Sequence, residues 1–223
     1  MNIIITGASR GIGFETAKIL AKEHKVYCLS RNIEPLIALN NENIIPISFD
    51  LITFNESTLD SFFDTVSSID IIINNAGLLV NKPFKEISPL ELQNMYSVNV
   101  LSPYHLIQYF YGKLVKSQAH IVNISSMGGV QGSAKFSGLS GYSSSKGAMT
   151  ILTECLAEEF KDDKITVNCL ALGAVQTEML EEAFPGYKAP FSPEKMAKYV
   201  ADFAINGKDY YNGKIMNVAI STP

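Results

Sequence analysis

The first twenty residues restrict the fold more than any other part of the sequence. A β-branched run at 2–6 predicts a strand, and it enters the turn T-G-A-S-R-G-I-G at 6–13. An amphipathic segment follows, with Phe14, Ala17 and Leu20 on one face. Glycine allows a sharp turn, and the free N–H groups and positive dipole end of a helix start stabilise a phosphate. This order predicts a phosphate cradle; a turn used only for close helix packing is the alternative.

The rest of the chain alternates short apolar runs with segments of helical periodicity. Strands are predicted at 2–6, 25–29, 44–48, 70–73, 120–124, 165–170 and 214–218. Because each right-handed crossover returns the chain in the same direction, such alternation favours a parallel sheet covered by helices on both faces. We therefore expect one doubly wound α/β domain over residues 1–223.

Charge and cysteine content exclude several classes of protein. The net charge of -4 and the pI near 5.4 provide no basic surface for nucleic acid or an anionic membrane. Cys28, Cys155 and Cys169 have no disulfide or zinc spacing, and the three histidines are scattered, so we expect no metal site. No secretory leader or bilayer-spanning run is apparent. A cytoplasmic protein is expected.

Tyr142 and Lys146 lie four residues apart, just before a predicted helix at 147–160. This spacing places both side chains on one helical face. A free phenol has a pKa of about 10, and lowering it by roughly three units requires about 4 kcal/mol of interaction with a cation such as the lysine ammonium. The pair is thus a candidate proton-transfer group; a core tyrosine beside a surface lysine is the alternative.

These motifs occur in a family-specific order. The T-G-x-x-x-G-x-G turn, N-N-A-G at 74–77 and Y-S-S-S-K at 142–146 resemble the short-chain dehydrogenase/reductase family over nearly the whole chain. The resemblance implies a Rossmann-type sheet with strand order 3-2-1-4-5-6-7. It also implies hydride transfer between NADP(H) and a small carbonyl or alcohol substrate, with Tyr142 as general acid and base.

The resemblance assigns two further catalytic residues. Ser126, rather than Ser125, would polarise the substrate oxygen, because it directly precedes the glycine pair at 128–129. Asn99 would hold a water that extends the proton path beyond Lys146; an exposed asparagine is the alternative. The interval from Ser126 to Tyr142 is longer than the family commonly has, so an insertion within 130–140 is expected.

The residues after the second predicted strand indicate the cofactor. Ser30 and Arg31 provide a hydroxyl and a guanidinium where an acidic residue would bind the ribose of NAD(H), and Arg10 lies in the first turn. A cation here favours the 2′-phosphate of NADP(H). Arg31 as an ordinary surface cation is the alternative.

The resemblance extends the cofactor site to later loops. Asp50 and Leu51 would contact the adenine, with a helix-capping Asp50 as the alternative. Val175 and Thr177 would contact the nicotinamide carboxamide, although Leu172 replaces the family's proline. The full predicted set is Gly7, Ser9, Arg10, Gly11, Ile12, Gly13, Ser30, Arg31, Asn32, Asp50, Leu51, Asn75, Ala76, Gly77, Tyr142, Lys146, Val175 and Thr177.

Substrate, assembly and two other functions stay open. The lid segment 178–191 is short and contains two prolines, which predicts an open or partner-completed pocket. Apolar faces at 92–116 and 147–160, which the family uses for two-fold pairing, predict a homodimer or homotetramer. A non-catalytic NADP(H) sensor is one alternative. Nucleotide-sugar epimerisation or dehydration is another, but it usually requires a larger carboxyl-terminal region. A serine hydrolase is rejected because no G-x-S-x-G turn surrounds Ser126.

Overall fold

A computed structural model describes residues 1–220 and confirms the predicted sheet. In this range the strands form one sheet in the order β3-β2-β1-β4-β5-β6-β7, and every neighbouring pair is parallel. The strands are β1 (Asn2–Thr6), β2 (Lys25–Ser30), β3 (Ile44–Ser48), β4 (Ile71–Asn74), β5 (His120–Ser126), β6 (Thr166–Leu172) and β7 (Ile215–Val218).

Helices connect the strands and cover both faces of the sheet. The α-helices are α1 (Gly11–Leu20), α2 (Glu34–Ile37), α3 (Glu56–Phe63), α4 (Pro89–Tyr96), α5 (Ser102–Ser117), α6 (Ser140–Glu159), α7 (Glu178–Ala183) and α8 (Pro193–Asn206). A π-helical segment, Ser97–Leu101, joins α4 to α5, and 3₁₀ turns occur at Phe84–Glu86, Met127–Gly129 and Gly207–Asp209.

Strand β1 shows why these strands are apolar throughout. Ile3 and Ile5 belong to the core on the side of α1 and α8, whereas Ile4 belongs to the core on the side of α3 and α5. All three side chains are fully buried. Because successive residues of a strand point to opposite faces, a strand covered on both sides requires apolar residues without alternation.

Several predicted boundaries move at the carboxyl edge of the sheet. β2 continues to Ser30 and β5 continues to Ser126, because these serines pair with Ser48 and Leu172 on the neighbouring strands. Helix α6 begins at Ser140, seven residues before the predicted start of 147. Packing holds this Ser/Gly-rich turn helical, since Gly141 is buried against Met95 of α4. Tertiary contacts here override a loop-like composition.

Strands β1 and β4 define the place where the site forms. The chain runs outward from β1 to β2 on one side and resumes at β4 on the other, so the loops after β1 and β4 leave the sheet side by side. In such sheets this switch point is the crevice where ligands bind. The predicted site residues of the glycine turn and of 74–77 both lie there.

Candidate active site

The glycine turn is a backbone cradle fixed from the end of β4. Asn75 Nδ2 donates to the carbonyl oxygens of Thr6 (3.0 Å) and Gly7 (3.1 Å). Gly7 has a φ of +67°, and a Cβ on Gly13 would lie 2.4 Å from Asn75 Nδ2. No L side chain fits either position without movement. The close approach of these backbones therefore requires glycine for a reason beyond helix packing alone.

The cradle leaves polar groups free to receive a dinucleotide. Within residues 1–220 no side chain caps the amino end of α1, so its first N–H groups have no side-chain partner. Ser30 Oγ is buried and has no hydrogen-bond partner in the same described residues. Orphaned donors and hydroxyls are costly unless a ligand or water pairs with them. The site can accommodate a pyrophosphate at α1 and a ribose at Ser30.

The residues predicted to bind near the 2′-phosphate of the adenosine ribose differ in their exposure and in their contacts. Arg31 is exposed and forms no ion pair within the described residues. Arg10 Nη1 lies 2.7 Å from Glu182 Oε1, an interaction that sequence reasoning missed. Asn32 Oδ1 accepts from the Glu34 backbone N–H at 3.1 Å and so supports the start of α2.

Asp50 and Leu51 occupy the turn after β3. Asp50 Oδ1 accepts from the Ile52 backbone N–H at 2.9 Å, whereas Asn55 caps α3. The helix-capping alternative for Asp50 is therefore wrong. The Leu51 carbonyl accepts from the Ser102 hydroxyl, which ties this turn to α5.

Tyr142, Ser126 and Lys146 come together beyond the cradle. Tyr142 lies in the first turn of α6, and Lys146 Nζ is 5.9 Å from the centre of its ring. Burial raises the pKa of Tyr142 to about 12, while its hydrogen bond with the Ser126 side chain acts in the opposite direction. The protein groups therefore keep the phenol protonated at neutral pH. Desolvation is the larger of these two effects, and Lys146 is not among the groups that shift this pKa.

Lys146 is a buried cation, 4% exposed, and not a surface lysine. Its Nζ donates to the Ile124 carbonyl at 2.8 Å. Burial lowers its pKa to about 8, and the nearby Cys169 acts in the opposite direction. Ser125 Oγ donates to the Lys146 backbone carbonyl at 2.8 Å, consistent with its predicted support role. The lysine is thus held in place by the two residues before Ser126.

Asn99 lies in the π-helical segment and is 1% exposed, so the exposed-asparagine alternative is wrong. Its Oδ1 accepts from the Leu78 N–H at 2.8 Å, and its Nδ2 donates to the Leu78 carbonyl (3.0 Å) and to Ser145 Oγ (2.8 Å). Ser145 precedes Lys146 directly. The asparagine therefore joins the segment after Gly77 to the helix that carries Tyr142. Single-turn π segments are frequent at functional sites.

The residues after β6 form the base of the lid. Val175 bridges to Phe191, and Gln176 N donates to the Phe191 carbonyl at 2.8 Å, which closes 177–190 into a loop. Thr177 Oγ1 accepts from the Leu180 N–H at 3.3 Å and caps α7. The segment predicted to be the lid therefore contains the short helix α7, and its two ends are held together by the contacts of Val175 and Gln176 with Phe191.

The segment 130–139 contacts the loop that follows Gly77. Gly138 has a φ of +86°, and its carbonyl accepts from the Lys82 N–H at 3.1 Å. A Cβ on Gly138 would lie 2.1 Å from Asn81 Oδ1, so the close approach of the two loops depends on this glycine. The segment in which an insertion is predicted thus contacts the segment that follows Gly77.

Comparison with known proteins decides the family. The family model described as short chain dehydrogenase matches residues 1–188. The chain belongs to the short-chain dehydrogenase family. Short-chain dehydrogenases are oxidoreductases that act with nicotinamide dinucleotides, so the coarse reaction class of this chain is hydride transfer.

Two curated relatives of this short-chain dehydrogenase are reductases. A 3-oxoacyl-(acyl-carrier-protein) reductase FabG of Chlamydia trachomatis is 27% identical over 236 aligned positions, covering 96% of this chain and 94% of the relative. Carbonyl reductase (NADPH) 2 of Sus scrofa is 32% identical over 184 positions, covering 80% of this chain and 73% of the relative.

Among the solved structures similar to this short-chain dehydrogenase, one contains NADH and another contains NADP. A 4-hydroxyisoleucine dehydrogenase mutant complexed with NADH and succinate has a TM-score of 0.85 at 25% identity, covering 98% of this chain and 96% of that one. ElxO with NADP bound has a TM-score of 0.84 at 26% identity, covering 97% and 96%. These neighbours leave the choice between NAD(H) and NADP(H) open.

Two interactions at the site of this short-chain dehydrogenase were not predicted from the sequence. Ser145 reads as one of a serine run, and Glu182 as one of several lid carboxylates. The available hint for Glu182 was that the lid segment is rich in glutamate while the glycine turn contains the cationic Arg10.

No helix in residues 1–220 has the length and apolarity needed to cross a membrane.

Proposed function

We propose that this short-chain dehydrogenase is an NADP(H)-dependent reductase of small carbonyl compounds with Tyr142 as the proton donor. The supporting observation is the grouping of a protonated phenol, the Ser126 hydroxyl and the buried Lys146 ammonium next to the dinucleotide crevice. A phenol whose pKa lies near 12 stays protonated at neutral pH, so the resting site holds the acid form that carbonyl reduction consumes.

Each residue has a distinct task in this proposal. When bound, NADPH supplies the hydride. Ser126 orients the substrate oxygen by hydrogen bonding, and Tyr142 transfers its hydroxyl proton to that oxygen as negative charge develops on it. Lys146, whose Nζ donates to the Ile124 carbonyl, stabilises the resulting phenolate. Asn99, whose side chain is bonded to the Leu78 backbone, holds the water through which the proton is replaced beyond Lys146.

Cofactor preference is proposed from the residues after β2. Ser30 provides a buried hydroxyl without a partner in the described residues, and Arg31 provides an exposed guanidinium for a 2′-phosphate. Arg31→Asp should reverse the preference toward NADH. Lys22→Asp, an equal charge change beyond the far end of α1, is the matched control. An NADPH preference that survives Arg31→Asp would defeat the assignment.

Turnover separates the reductase from a cofactor sensor. NADPH oxidation should be screened with a panel of aldehydes, ketones and quinones, with Tyr142→Phe as the inactive control. At least one carbonyl class should be reduced by the natural chain, and the variant should still bind NADPH while losing turnover. Tight NADPH binding without turnover of any compound would support the sensor instead.

The assembly proposed is a homodimer or homotetramer of single-domain chains. Leu101, Tyr104 and Tyr111 are exposed along one stripe that continues into α5, and Ile151 is exposed on α6. Their apolar area is typical of a surface that another copy covers. Light scattering should give a mass that is a multiple of the 24.4 kDa chain.

The three free cysteines support the expected reducing, cytoplasmic location.

A further inference from the structure

The lid of this protein is linked to the glycine cradle by one exposed ion pair. Arg10, at the start of α1, and Glu182, in α7, lie 2.7 Å apart, with side chains 50% and 64% exposed. The two residues are 172 positions apart in the chain. Because exposed ion pairs contribute little free energy, a stronger anionic ligand can displace Glu182 from the guanidinium.

The cleft beside this pair is strongly acidic. It has a volume of about 480 Å³, and its lining includes the four carboxylates of Glu15, Glu178, Glu181 and Glu194. Arg10 is the one cationic side chain lining it in the described part of the chain. Lys18 neutralises Glu15 at 2.8 Å, whereas Glu178 Oε2 lies 3.6 Å from the position of a Cβ on Gly11. A phosphate entering here therefore meets carboxylates and an already occupied guanidinium.

The rest of α7 is anchored so that Glu182 can leave Arg10 without unfolding the lid. The base is closed by Gln176 and Phe191. Glu181 Oε1 accepts from the Gly186 N–H at 2.9 Å, and Asn81 Nδ2 donates to the Ala183 carbonyl at 2.9 Å. These contacts stay within the lid or join it to the segment after Gly77. Among the side-chain hydrogen bonds and ion pairs of residues 1–220, the pair with Arg10 is the one that joins α7 to the start of α1.

We propose that Glu182 sets the cofactor preference by competing with a 2′-phosphate for Arg10, so that a 2′-phosphorylated dinucleotide also detaches α7 from the cradle. This inference rests on the proposed function in one respect, the binding of a nicotinamide dinucleotide at the cradle. NADPH and NADH share the pyrophosphate and differ at the 2′ position. Loss of the Glu182 charge relieves repulsion of the pyrophosphate equally for both, whereas release of Arg10 favours the 2′-phosphate alone.

The test is binding of NADPH and NADH to the cofactor-free protein, followed by calorimetry at low ionic strength. Glu182→Gln should bind NADPH about two- to fivefold more tightly, and NADH less than twofold more tightly. Glu23→Gln, an equal charge change at the far end of α1, should leave both affinities unchanged. In an Arg10→Met background, Glu182→Gln should no longer alter the NADPH-to-NADH ratio.

The outcomes separate this inference from the proposed function. Binding of both cofactors with a ratio that Glu182→Gln leaves unchanged, or a ratio that still changes without Arg10, overturns the inference alone. Failure of the natural chain to bind either cofactor overturns the proposed function and this inference together. Hydrogen exchange is a second readout: Glu182→Gln should accelerate amide exchange in 178–183 of the cofactor-free protein, and unchanged exchange there overturns the link between α7 and α1.

Discussion

Lys146 Nζ donates a hydrogen bond to the carbonyl oxygen of Ile124 at 2.8 Å, so the ammonium is fixed to the strand that carries Ser126. The lysine belongs to α6, and the strand is β5. One contact therefore sets the relative position of the cation and the hydroxyl. It also partly compensates the burial of a charge, which is costly in an apolar environment.

Replacement of this cation should reduce turnover without unfolding the protein. Lys146→Met keeps the length of the side chain and removes its charge, so carbonyl reduction is expected to fall by at least about 100-fold. The free energy of unfolding at pH 7 should stay within about 1 kcal/mol or rise, because the desolvated charge is removed. Steady-state kinetics and urea denaturation check both expectations. A variant that keeps a tenth of the activity would contradict the assigned role.

The lysine should also give the stability a specific pH dependence. Its pKa is about 8 in the folded protein, against an ordinary value of 10.5. The unfolded chain therefore binds more protons between these values, and the free energy of unfolding rises with pH across that window. The gain relative to Lys146→Met is on the order of 3 kcal/mol. If the free energies of unfolding of the two proteins changed by the same amount between pH 8 and 10.5, the prediction would be refuted.

Asn99 should stabilise the fold more than its partner Ser145. Asn99→Ala leaves both backbone groups of Leu78 without their partner, at an expected cost of about 2–3 kcal/mol. Ser145→Ala removes one side-chain contact to Asn99 and one to the Tyr142 carbonyl, and should cost about 1 kcal/mol. Chemical denaturation of both variants gives the comparison. Equal losses would mean that the Leu78 contacts contribute little.

Two glycine substitutions should have different effects, one lowering dinucleotide affinity and the other raising the stability of the protein. Gly13→Ala places a Cβ 2.5 Å from the Gly7 carbonyl oxygen, so the cradle must shift, and dinucleotide affinity should fall at least about tenfold. Gly112→Ala, inside α5, meets no atom of the described residues within 4 Å apart from its chain neighbours and the backbone of its own helix, and it should stabilise the protein by about 0.5–1 kcal/mol. Calorimetric titration and thermal denaturation measure the two effects. Undiminished binding by Gly13→Ala would argue against the cradle.

His120 should make the protein sensitive to acid. It is fully buried; its Nδ1 lies 2.9 Å from the Ala204 carbonyl oxygen, and its Nε2 lies 3.1 Å from Asn168 Nδ2. Burial lowers its pKa to about 4 from 6.5. Below pH 6.5 the imidazole of His120 binds a proton in the unfolded chain, whereas in the folded protein it stays neutral until about pH 4. The free energy of unfolding therefore falls as the pH falls through this window.

The size of this effect follows from a variant comparison. The loss attributable to His120 is on the order of 3 kcal/mol between pH 6.5 and 4. His120→Gln should be less stable than the natural chain at pH 7, and the difference should shrink toward pH 4. His105→Gln, which removes an exposed imidazole, is the matched control. A difference that stays constant with pH would show that His120 is not the acid-sensitive group.

Local patterns in the sequence determined the fold class, the glycine cradle and the pairing of Tyr142 with Lys146. Each depends on residues within one turn or one strand: the continuous apolar run of β1 reflects burial on both faces, and a four-residue spacing places two side chains on one helical face. Such short-range relationships survive without knowledge of the rest of the chain.

Tertiary structure decided which distant groups meet. The start of α6 at Ser140, the π-helical position of Asn99, and the pairing of Arg10 with Glu182 arise from packing between segments far apart in sequence. Desolvation of Tyr142 and Lys146 belongs to the same class, because the pKa of a group depends on every element that surrounds it. Periodicity predicts that a side chain is buried, but only the folded chain determines its neighbours.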